Sequence, residues 1–75
     1  MINELDSVVL TTDVPELGLA TGDIGTVVMV HDRAAGYEIE FIALDGETIG
    51  VATLTSDQIR SVREREIAHA RQVAA

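Results

Sequence analysis

Apolar and β-branched residues in this chain fall into short runs divided by turn residues, and that spacing predicts a mostly β protein. Ser7-Val8-Val9-Leu10-Thr11-Thr12 lies between Asp6 and Asp13 and reads as a strand. The stretch from Asp13 to Asp23 holds Pro15, Gly18 and Gly22, so it is a surface loop, with Leu17 and Leu19 tucked inward. Gly25-Thr26-Val27-Val28-Met29-Val30-His31 is a second strand, apolar almost throughout. After a turn at residues 32–36, Tyr37-Glu38-Ile39-Glu40-Phe41-Ile42 alternates cleanly, with Tyr37, Ile39 and Phe41 facing inward. Asp45-Gly46 is a hairpin signal leading into Thr48-Ile49-Gly50-Val51-Ala52-Thr53-Leu54. One turn of 3-10 helix at residues 55–58 and a short closing strand, Ile59-Arg60-Ser61-Val62, complete the pattern.

Residues 63–75 differ in kind. Alanine, glutamate and arginine replace the β-branched residues, a composition that predicts a C-terminal α-helix. Glu64 and Glu66 near its start, with His69 and Arg71 further on, suit the helix dipole. Its apolar stripe, Val62, Ile67, Ala70 and Val73 or Ala74, is narrow, so the helix needs a surface to pack on, either its own barrel near Leu17 and Leu19 or a second copy. The expected division is a barrel over residues 1–62 and a helix over 63–75.

Five short strands with one long early loop point to a small closed barrel, because closure removes free sheet edges. Alternation places Val8, Leu10, Val27, Met29, Ile39, Phe41, Val51 and Ile59 in the core, with Leu17 or Leu19 plugging one end.

Charge narrows the choice of partner. The 75 residues carry thirteen acids and five arginines, with no lysine and no cysteine. Residues 1–62 hold eleven acids and two arginines, a net of −9, and residues 63–75 a net of +1. Such a body repels phosphate backbones and favours basic partners, so nucleic acid is not expected to bind. Without cysteine there are no disulfides or thiolate metal sites. The first residues lack the basic and apolar character of a signal peptide, which predicts a cytoplasmic protein, and no run is long enough to enter a membrane.

Candidate chemistry is sparse. Glu38 and Glu40 share a strand face about 7 Å apart, a spacing that glycoside chemistry can use only inside a cleft. Asp45-Gly46-Glu47 lacks the regular oxygen spacing of a calcium loop. His31 and His69 have no second histidine at helical or strand spacing, and a lone histidine at a strand end is structural far more often than a ligand. No serine or threonine stands at a recognisable spacing from a histidine, and Gly22-Asp23-Ile24-Gly25 lacks the lysine and the following helix of a phosphate loop. Tyr37 and Phe41 are the only aromatics, too few for a polyproline-binding groove. No catalytic residue, metal or cofactor is expected.

The segment from Leu17 to Val28, with Gly22-Asp23-Ile24-Gly25-Thr26-Val27 at its centre, resembles the loop-and-strand signature of SH3-like five-stranded barrels. It is similar to the KOW motif of ribosomal and transcription-factor domains and to the barrel of the nitrile hydratase β subunit. A fuller pattern over residues 2–62, including Tyr37-Glu38-Ile39-Glu40-Phe41, Asp45-Gly46 and Ser56-Asp57-Gln58-Ile59-Arg60, resembles a bacterial family of domains of unknown function. The resemblance implies an SH3-like barrel and assigns no activity. A KOW-type RNA contact calls for basic residues and an exposed aromatic near the motif, and neither is present.

The resulting expectation is a non-catalytic protein-interaction module that binds a basic protein, in an antitoxin-like or immunity-like role, or binds itself. A homodimer through paired helical tails would use Ile67, Ala70, Val73 and Ala74. The alternatives are a KOW-type RNA-binding or ribosome-associated barrel and an accessory subunit of an enzyme.

Overall fold

A computed structural model describes residues 1–74; Ala75, the last residue of the predicted helix, lies outside the described residues. Five strands form one antiparallel sheet: β1 (Ser7–Leu10), β2 (Ile24–Val30), β3 (Tyr37–Ile42), β4 (Thr48–Leu54) and β5 (Ile59–Ser61). Their order across the sheet is β4-β3-β2-β1-β5. Short 3-10 turns at Pro15–Leu17 and Asp32–Ala34 interrupt the loops. Residues 55–58, expected to be 3-10 helix, form a single turn in which the Gln58 amide donates to the Thr55 carbonyl at 3.0 Å.

The expected closed barrel is not what forms. The sheet is open, and β4 and β5 are its two edges. β5 is only three residues long and pairs with β1, through Val8↔Ser61, Val9↔Arg60 and Leu10↔Ile59. No ladder joins β5 to β4, although a four-residue turn separates them in sequence.

One core lies on one face of the sheet. Val8, Leu10, Val27, Ile39, Phe41 and Ile59 are buried in it as alternation predicts, and Leu19 closes one end. Leu17 is half-buried beside it. The glycines at the entry to β2 have separate structural reasons. Gly22 has φ +96°, and Gly25 lies buried where β2 crosses Ile39 and Phe41.

Two predicted core residues face solvent instead. Met29 is half exposed because the register passes from Val27↔Ile39 to Met29↔Glu38, leaving Val28 as an extra residue. That bulge reverses the alternation of β2, so Val28 and Met29 both point outward. Val51 is half exposed because it stands opposite Glu40 on the outer face, while Ala52 and Leu54 take the inward places opposite Ile39 and Tyr37.

The C-terminal helix is also absent. Among the described residues, 62–74 carry no regular secondary structure. Ionic anchors set this conformation. Arg60 of β5 holds Glu66, and Asp23 at the start of β2 holds Arg71. Five residues of helix would advance about 7.5 Å and turn about 140°, aiming Glu66 and Arg71 in different directions. A narrow apolar stripe offers a helix little burial, and the two ion pairs tie the tail to the sheet along a non-helical path.

Candidate functional site

The outer face of the sheet carries the cluster in which the chain's chemistry could lie. Its cross-strand rows follow from register: Met29, Glu38 and Thr53 in one, and Thr26, Glu40 and Val51 in the next. Glu38 is engaged from both sides. His31 Nε2 lies 2.5 Å from its Oε2, and Thr53 Oγ1 donates to both carboxylate oxygens at 2.8 and 2.9 Å. The bond to His31, and then that to Thr53, hold the Glu38 carboxyl below the ordinary glutamate value. Glu38 is therefore a committed acceptor. The Glu38–Glu40 pair stands on an open strand face, without the cleft that acid–base catalysis on a sugar needs.

The other motifs resolve into local structure. Asp45 Oδ1 accepts the Glu47 amide at 3.0 Å, which closes the β3–β4 turn. Among the described residues, no three histidines or carboxylates gather to hold a metal ion. Asp23 accepts the Ala20 amide at 2.8 Å, a bond within the turn before β2, and also receives the Arg71 guanidinium. The bond from that guanidinium holds the Asp23 carboxyl below its usual value; burial opposes it, and the Ala20 amide adds a smaller lowering effect.

The four residues expected to form an interaction stripe are scattered along the irregular tail. Ile67 is 91% exposed, and Ala70 and Ala74 are also exposed. Val73 alone is half-buried, beside Gly18. The tail therefore returns to the loop of Leu17 and Leu19, but without a helix, and it is held mainly by charge. Arg71 donates to the Gly18 carbonyl at 3.2 Å as well as to Asp23. Glu66 accepts both Arg60 nitrogens, at 2.8 and 2.6 Å, and the Arg63 amide at 2.6 Å.

These bonds make the tail responsive to acid. The Arg60 guanidinium, with the Arg63 amide, lowers the Glu66 carboxyl from 4.5 to about 2. A depressed folded-state value means that the anchor is intact above pH 4.5 and is lost as pH falls through about 2. The Arg63 amide resonance is expected to move to its random-coil position across that window, before the sheet unfolds. An Arg63 amide that did not shift across it would show that Glu66 does not hold the tail.

A second feature is the free edge of β4. Among the described residues, β4 (Thr48–Leu54) pairs only with β3. A groove of about 430 Å³ runs beside it, lined by Asp13, Glu16 and Leu17 of the long loop, by Val51 and Thr53, and by Gln58. Sequence reasoning missed this edge because it assumed closure, which leaves no edges. The signal was present: Thr48–Leu54 is the longest uncharged strand besides β2.

The profile of a family described as Domain of unknown function (DUF4926) matches residues 4–61. The chain belongs to this family. The matched span runs from just before β1 to the end of β5, so the open sheet, the acidic loop and the free edge all lie within the DUF4926 domain. The anchored tail lies outside it, and two of its residues, Glu66 and Arg71, are tied to Arg60 and Asp23 of the domain. No curated protein matches the chain, and no solved structure does. Among the described residues, no helix is long and apolar enough to cross a membrane.

Proposed function

We propose that this DUF4926 domain is a non-catalytic protein-interaction module whose partner is a basic protein. One observation carries the reading: none of the eleven carboxylates in residues 1–62 is buried, and only two arginines accompany them. One of those arginines, Arg60, is already engaged with Glu66. The domain thus presents a predominantly negative set of surface charges, which steers cationic partners in and repels nucleic acid. The homodimer built on paired helical tails has no helix to use.

Fluorescence anisotropy with labelled probes at about 150 mM salt tests the proposal. An arginine-rich peptide is expected to bind, more weakly as salt rises, while a glutamate-rich peptide and an RNA oligonucleotide do not. Sub-micromolar binding of RNA or duplex DNA would overturn the reading, as would equal binding of the two peptides.

A further inference from the structure

We propose that the free edge of β4 is the docking site, and that it receives an extended basic segment of the partner as an added, sixth strand. This rests on the reading of the domain as a module for a basic protein, and it names where and how that protein binds.

Backbone direction supports the edge. The Val27 amide donates to the Asp6 carbonyl at 2.9 Å, and its carbonyl accepts the Leu5 amide at 2.7 Å, so both groups of Val27 point toward β1. Its neighbour Ile39 therefore directs its own groups away from β2 and toward β4, where it stands opposite Ala52. Ala52 answers Ile39, and the residues on either side of it, Val51 and Thr53, turn their N–H and C=O groups to the free edge. Among the described residues, no backbone hydrogen bond outside the β3–β4 ladder involves any residue of β4. Val51 and Thr53 are both exposed, so their amides and carbonyls form a ready half-ladder.

The edge also lacks the devices that keep sheets from pairing with strangers. Strands at an edge are commonly short, or carry lysine, proline or an inward charge. β5, the opposite edge, is three residues long and carries Arg60. β4 is seven residues long with no charge and no proline. An edge this long and unguarded is an aggregation hazard unless a partner covers it.

Charge chooses the occupant. Asp13 and Glu16 rim the groove along β4, and Glu38 and Glu40 lie one strand away on the outer face. Pairing β4 with β4 of a second copy would bring two such rims and two −9 domains together. A strand with basic side chains meets the same rims with attraction, while backbone bonds supply the affinity.

The probe is a seven-residue peptide of alternating valine and arginine, titrated into isotopically labelled protein. A peptide of the same sequence, N-methylated on alternate amides, keeps the charge but cannot complete a ladder. The unmodified peptide is expected to shift the Val51 and Thr53 amides and to bind at least about tenfold more tightly than the methylated one. V51P removes an outward amide that bonds nothing within the sheet, and is expected to abolish the difference between the peptides; D13K/E16K is expected to weaken both. Equal binding of the two peptides, with shifts away from β4, would overturn the edge proposal and leave the basic-partner reading standing. No binding of any basic peptide would overturn both. Dilution-dependent shifts at Val51 in the protein alone would overturn the choice of occupant in favour of a second copy.

Discussion

Replacing Phe41 with alanine is expected to cost about 3–5 kcal/mol, the range for truncating a buried aromatic ring. Phe41 is 2% exposed and sits in the core formed by all five strands. A domain of this length has a total stability of about 4–11 kcal/mol, so the variant should stand close to unfolding. At this size each kcal/mol moves the melting temperature by about 4–8 °C, and circular dichroism melts would read the change directly. A variant melting with the wild type would mean that β3 does not present Phe41 to the core.

Gly25→Ala is expected to be almost as damaging, for the opposite reason. A Cβ at position 25 would stand 2.5 Å from Ile39 Cγ2, 2.8 Å from Phe41 Cε1 and 3.0 Å from the Glu40 carbonyl oxygen. The first two contacts are with fully buried core side chains, and the third is with backbone. Overpacking of this kind typically costs about 1–3 kcal/mol, and the backbone contact places this site at the upper end. Urea denaturation measures it. Ile39→Ala removes the nearest of the three atoms, so the double variant should lose less than the two single losses together. Strict additivity would show that Gly25 and Ile39 do not meet.

Strand positions were legible because local patterning determines them. β3 and β4 fall where alternation and the Asp45-Gly46 turn place them, at Tyr37–Ile42 and Thr48–Leu54. In β3 the inward set, Tyr37, Ile39 and Phe41, is the only one that keeps both glutamates in water. The lack of recognisable catalytic motifs, and the concentration of negative charge in residues 1–62, were equally plain from the residues alone.

The facing of Met29 and Val51 was not legible. A single extra residue, Val28, reverses the alternation of β2, and nothing in an almost wholly apolar run announces which residue will be extra. In β4 the inward places went to Ala52 and Leu54, because pairing with β3 set the phase and the larger Ile49 and Val51 did not. The candidate site suffered most. Composition suggested a helix for the tail, yet Arg60 with Glu66 and Asp23 with Arg71 tie it to the sheet in an irregular path, and the second pair joins residues 48 apart in sequence. Where strands form and the sign of the surface follow from the residues alone, because each depends on near neighbours or on simple counting. Tertiary structure alone decided whether the sheet closes, where the tail lies and which edge stays free. Those outcomes depend on pairings between distant segments, whose free energies differ by less than local propensity can resolve.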